Sequence, residues 1–298
     1  MDTSNGSSVP ILYCNRCPPS DEWAHAVVRL PGRSRGGPIS NSMFTTDLKD
    51  RSERERLGRK VRAYLVHIFT ASGVAFAFLA MAEVIRADLD PRWVFGWLTL
   101  AVLIDAADGP LARLWDVESH APRIVGGTID LIVDYLTFTF IPLVLVWRMD
   151  WLPGWDGLWV TLAMVASLFG FANTSSKQAH EGFFLGFPSY WNVVAYYVGL
   201  ITVEYGPLGG YVSLCIVLVL AALTVIPIRF VYPNQVSMPW RAIVTIGGGL
   251  WLGLLLALLP TFPGLPDWGG DWVLWVSFVF PAFYFGLSLW LDWTGRGS

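Results

Sequence analysis

Charged residues are scarce in this sequence. Asp, Glu, Lys and Arg together make up 14% of 298 residues, where a soluble globular chain carries about 25%. With 54% hydrophobic residues, that deficit excludes an ordinary soluble domain and points to the bilayer. A basic surplus is missing too: the net charge is −3, so no long-range attraction to nucleic acid is implied. Three cysteines are too few for a disulfide framework. The single C-x-x-C of Cys14 and Cys17 lacks the second pair of ligands that a structural zinc site needs, and His25 and His67 do not supply it at any recognisable spacing. Cys215 lies in an apolar run and reads as a small buried hydrophobe. The first residues do not read as a secretory signal peptide, because no apolar segment follows a basic start.

What is present instead is apolar length. A hydrocarbon core of ~30 Å needs about 20 residues of helix. The sequence predicts eight such spans, at 63–85, 93–114, 126–147, 157–175, 187–204, 208–229, 241–260 and 272–292. The runs are continuous rather than alternating, which requires helices and not barrel strands. The expected fold class is therefore all-α, a polytopic integral membrane helical bundle of about eight transmembrane helices. Residues 1–57 are polar and are expected to be a disordered extension. The extension ends in a basic juxtamembrane stretch, with Lys49, Arg51, Arg54, Arg56, Arg59, Lys60 and Arg62, suited to an anionic membrane surface or simply to solvent. Residues 58–298 form the transmembrane domain that carries any chemistry. With both termini in the cytoplasm, the inner side receives that stretch plus Arg113, Arg123, Lys177, Arg229, Arg241 and Arg296, and the outer side only Arg86, Arg92 and Arg148, as the positive-inside rule asks.

Four aspartates, Asp105, Asp108, Asp130 and Asp134, lie in or at the ends of the second and third spans. An ionisable side chain at membrane depth costs roughly 2.5–3.5 kcal/mol on insertion scales, so four together need a reason. Within each pair the spacing puts both carboxylates on one helix face, and a short connection makes the two helices antiparallel neighbours. Converging carboxylates repel unless cations neutralise them. All-oxygen donors select hard divalent ions over zinc, and a pair of such ions suits phosphoryl chemistry. One aspartate is free to act as a base instead. The small residues Gly109 and Ala112 admit a flat base or a phosphate close to the backbone, and Arg113 supplies positive charge. The bland alternatives are buried pairs with Arg113 and Arg123, or an ion or proton path.

The full pattern, Asp105-x2-Asp108-Gly109-x2-Ala112-Arg113, a spacer, then Gly126-x3-Asp130-x3-Asp134, resembles the signature of the CDP-alcohol phosphotransferases over about the first six spans. The resemblance implies a CDP-alcohol phosphotransferase-like core. It implies two divalent ions, Mn²⁺ or Mg²⁺, held by Asp105, Asp108, Asp130 and Asp134, with Asp134 as catalytic base. Gly109, Ala112, Arg113 and Gly126 match the nucleotide site, and the family likeness implies a homodimer.

The spacer Leu114–Val125 is longer than the common pattern. With the strings FFLGFPSYWN (183–192) and IPIRFVYPNQ (226–235), it resembles the bacterial phosphatidylcholine synthase branch of the family. That likeness implies transfer of the phosphatidyl group of CDP-diacylglycerol to choline, release of CMP, and Mn²⁺ as the usual metal. It also implies a place in the bacterial inner membrane with the active site facing the cytoplasm. A quaternary ammonium is recognised by aromatic faces and nearby negative charge. Tyr190, Trp191 and Glu181 are the candidates for choline, in a stretch that also holds Phe183, Phe184, Phe187, Tyr196 and Tyr197. Serine, inositol phosphate and glycerol phosphate are the rival acceptors, and an ion- or proton-coupled transporter is the rival class.

Overall fold

The computed structural model describes residues 41–173, 183–231 and 238–294. Cys14, Cys17, His25, Lys177, His180, Glu181, Arg296 and residues 1–40 of the extension lie outside the described residues. The chain divides into two compact units, Met1–Arg51 and Ser52–Ser298; the described part of the first is helical.

The elements in chain order are α1 (Asn41–Ala71), α2 (Gly73–Val84), α3 (Pro91–Leu114), the single-turn α4 (Val117–His120) and α5 (Gly126–Asp134). A π-helical turn, Tyr135–Phe140, then leads into α6 (Ile141–Arg148), followed by α7 (Asp156–Ala172), β1 (Phe183–Leu185), α8 (Trp191–Val225), β2 (Arg229–Val231), α9 (Trp240–Leu258), α10 (Gly270–Ser277) and α11 (Val279–Thr294). Local sequence sets several boundaries. Pro91 opens α3, and the Asp90 side chain caps it by accepting from the Arg92 N–H at 3.0 Å. The Arg92 side chain beside it holds the Asp90 carboxyl below the usual carboxylate range. α2 packs along α3, placing Ala77, Ala80 and Val84 in one core with Val94, Phe95 and Leu98.

The chain is a polytopic helical membrane protein, but the expected number of spans needs correcting. Among the described residues six segments, not eight, are long and apolar enough to cross a membrane: Lys49–Val84, Pro91–Leu114, Gly126–Arg148, Trp191–Val225, Trp240–Thr261 and Asp271–Thr294. Two causes account for the difference. The span expected at 157–175 is realised as the 17-residue α7, shorter than the ~20 residues a crossing needs. The spans expected at 187–204 and 208–229 fall in one element, α8, and so count as one apolar segment by length, although its dihedrals at Gly206 are non-helical (φ 56°, ψ −134°). The Thr202 and Ser213 hydroxyls lie 3.1 Å apart, although eleven residues of straight helix rise about 16 Å. The chain therefore reverses at Gly206–Pro207, and 191–205 and 207–225 lie side by side.

The two strings singled out in the sequence meet in space. β1 and β2 pair antiparallel, with Phe184 opposite Phe230. Behind them Phe187 contacts Phe230, Trp191 and Phe285, with ring centroids 6.3, 5.9 and 6.1 Å away. Tyr196 and Tyr197 are core residues: their hydroxyls donate to the Leu255 and Ser277 carbonyls at 3.0 and 2.9 Å. Cys215, expected to be buried, is exposed on α8. On the outward face of an apolar membrane helix a small thiol meets lipid, so an apolar run alone does not imply burial within the protein.

Candidate active site

The site is built where α1, α3 and α5 run together. α3 carries Asp105 and Asp108 one turn apart, and α5 carries Asp130. One carboxylate oxygen from each lies within 4.8 Å of the other two, with Asp108 buried and its neighbours half-buried. This brings together three of the four aspartates singled out by spacing. Three carboxylates at that separation, all oxygen donors, fit a divalent cation, which relieves their mutual repulsion; the group can hold a metal. Asp134 stands one turn further along α5, outside this group, half-buried at the junction where the α-helix passes into the π-helical turn. There the Thr137 hydroxyl donates to the Val133 carbonyl at 2.9 Å, and π-helical turns inside α-helices recur at functional sites.

The other positions of the pattern on α3 face α1 and the spacer. The Arg113 guanidinium folds back over Gly109, so a Cβ at position 109 would stand 3.5 Å from one of its nitrogens. Ala112 packs with Leu111 and Trp115 against Ala63 and Val66 of α1, together with Val117 and Ala121 of the spacer. The long spacer thus has a structural use: its single turn, α4, docks on α1 and carries the chain to Gly126.

Two residues of α1 that sequence reasoning passed over complete the site. The Thr70 hydroxyl donates to the Val66 carbonyl at 3.2 Å and lies beside Asp108. One turn earlier, His67 is 6% exposed and lies on the first turn of α5. A Cβ at Gly126 would meet its Cε1 at 2.9 Å and Nδ1 at 3.1 Å. A polar His and Thr three apart in an otherwise apolar span are their signal in the sequence.

The stretch suggested for choline is arranged less simply. Trp191 is fully enclosed, its indole N–H donating to the Ser167 hydroxyl at 2.6 Å. Tyr190 is half-buried, 6.0 Å from the ring of Phe138 on the π-turn that follows Asp134. Arg229 approaches Asp292 at 3.9 Å.

No protein-family model matches the chain. Individual relatives do. The chain is 38% identical over 245 residues to the phosphatidylcholine synthase of Pseudomonas aeruginosa, an alignment that takes in 79% of this chain and 95% of that protein. The chain belongs to the phosphatidylcholine synthase family. The phosphatidylcholine synthase of Bradyrhizobium diazoefficiens is 34% identical over 78% of this chain and 85% of its own length. That of Legionella pneumophila is 32% identical over 61% and 69%. Membership accords with a multi-pass bundle that carries a carboxylate group able to bind metal, and the chain is an enzyme of the phosphatidyltransferase type.

Proposed function

We propose that the chain transfers the phosphatidyl group of CDP-diacylglycerol to choline and releases CMP, using two Mn²⁺ or Mg²⁺ ions per site. The observation that carries the reading is the carboxylate group of Asp105, Asp108 and Asp130 within 4.8 Å, in a chain 38% identical to a phosphatidylcholine synthase over nearly that protein's whole length. The setting is the bacterial cytoplasmic membrane with the site and both termini facing inward, in a homodimer. Residues 58–298 form the catalytic domain and 1–57 an extension at the membrane surface.

Asp105, Asp108 and Asp130 would hold the metal, and Asp134 would add a ligand or accept the proton. A bound divalent ion draws charge away from the attacked phosphate and the departing CMP. The chain's own residues do the rest. Gly109 and Ala112 leave the backbone open to the nucleotide, and Arg113, lying over Gly109, faces its phosphate. An Asp134 carboxylate oxygen takes the choline hydroxyl proton as that oxygen attacks the β-phosphorus and the bond to the CMP oxygen breaks in line. The ring of Tyr190 faces the quaternary ammonium, Glu181 adds negative charge, and the enclosed Trp191 anchors Tyr190 rather than touching choline.

Purified protein in proteoliposomes with CDP-diacylglycerol and Mn²⁺ tests the reading. CMP release is expected with choline and not with serine, inositol, inositol phosphate or glycerol phosphate, and EDTA is expected to stop it. Release driven by another alcohol would keep the reaction class and refute choline; no release from folded protein would refute the class. In the same assay Tyr190→Ala is expected to raise the choline KM about tenfold, between the exposed and the desolvated values of a cation–π contact, while Trp191→Phe leaves it unchanged. An unchanged KM in Tyr190→Ala would remove Tyr190 from the choline site.

A further inference from the structure

His67 is a buried polar group that the chemistry above does not use. It is 94% enclosed by the complement of its 6% exposure, and its Nε2 has no hydrogen-bond partner among the described residues. A buried ring nitrogen without a partner costs free energy that the fold alone gives no reason to accept. Three contacts locate it. The ring edge with Cε1 and Nδ1 lies against the first turn of α5 at Gly126, so close that any Cβ there would meet it at 2.9 Å. Three residues on, Thr70 lies beside Asp108. Its neighbour Val66 packs with Ala112 of the same motif. His67 thus sits one helical turn to the N-terminal side of the carboxylate level, among the small residues assigned to the nucleotide.

We propose that His67 is a nucleotide-binding residue, its Nε2 hydrogen-bonding the CMP portion of the CDP-linked substrate, and that position 126 is glycine to seat the imidazole. The proposal rests on the reading of this site as one for a cytidine nucleotide. Neutral imidazole offers Nε2 as donor in one tautomer and acceptor in the other, so it can meet a ribose hydroxyl, a base edge or a phosphate oxygen. The glycine then has a steric origin distinct from direct contact with the ligand. Its substitution acts through His67.

The test uses the full chain and CMP itself as probe, measured by the CMP-dependent rise in thermal midpoint and by CMP inhibition of turnover. His67→Leu keeps the volume and removes the nitrogen; His67→Gln keeps an amide near the position of Nε2. Leucine is expected to weaken CMP and raise the CDP-diacylglycerol KM about tenfold, the worth of one buried hydrogen bond, with the choline KM unchanged and glutamine restoring most of the loss. Gly126→Ala is expected to weaken CMP in the wild-type background and to add little in His67→Ala, where the methyl group has room. CMP affinity equal to wild type in a folded His67→Leu protein would overturn the proposal. So would a loss spread equally over both substrates that glutamine does not restore, which marks a structural role. If His67→Leu does not fold, glutamine and the Gly126→Ala pair decide. Failure of the parent reading looks different: wild type would then bind CMP through His67 yet release none with choline.

Discussion

Asp108→Asn is expected to reduce CMP release on the order of 10³-fold or more, and in EDTA to raise the thermal midpoint by a few degrees. Both follow from one geometry. Asp108 is the most enclosed of three carboxylates whose oxygens lie within 4.8 Å of one another. Two unit charges at that distance repel by roughly 3–4 kcal/mol at an effective dielectric of 20, an upper figure because shared protons relieve part of it. Without a cation the group is a local liability to the fold, and an amide of equal size removes two of its three repulsions. With a cation the sign reverses. Metal that binds only the folded chain stabilises it by mass action, so Mn²⁺ is expected to raise the wild-type midpoint and leave that of Asp108→Asn nearly unmoved. Activity falls because charge stabilisation of several kcal/mol in the transition state is lost, at about 1.4 kcal/mol per tenfold. A variant that kept activity within tenfold of wild type, or lost midpoint in EDTA, would show that the aspartates are not a metal-binding unit.

Gly209→Ala is expected to lose about 3 kcal/mol of stability, the upper range for overpacking, and with it most of the folded protein. α8 turns back on itself at Gly206, and the first turn after the reversal presses Gly209 onto the main chain of the turn before it. A Cβ there would collide with the Ile201 carbonyl oxygen and stand 2.9 Å from its carbonyl carbon and 3.0 Å from the Thr202 Cα. Backbone cannot rotate aside as a side chain can, so the two halves must separate. That breaks the hydrogen bonds of Thr202 to Ser213 and to the Trp151 carbonyl, each 3.1 Å, and unseats Tyr196 and Tyr197 from the aromatic core. Gly249→Ala is the control: it lies in α9 with open space around its Cα and is expected to be neutral or slightly stabilising, as alanine is the better helix former. Measuring folded yield and thermal midpoint in detergent for both variants decides. Equal behaviour of the two would mean that the reversal at Gly206 does not hold the halves in contact.

The sequence on its own determined the solvent and the chemistry. Scarce charge, long apolar runs and the absence of alternation leave only helices in a bilayer, because every buried peptide group must be bonded within its own segment. The spacing of Asp105, Asp108 and Asp130 already put them on two facing stripes, since helix period is a local property. The break at Gly206–Pro207 was legible for the same reason. What the sequence did not yield were contacts set by packing between distant segments. A polar His67 and Thr70 in an apolar span marked α1, but the sequence gave no sign that they lie beside the aspartates, or that the long spacer docks on Ala63 and Val66. Nor did it show that the strings at 183–192 and 226–235 are one paired unit whose Trp191 is core and not surface. Hydropathy reports only that a residue is apolar. Which neighbour it faces, lipid or another helix, depends on how the helices fit together, so the exposure of Cys215 and the burial of His67 were decided in the tertiary structure.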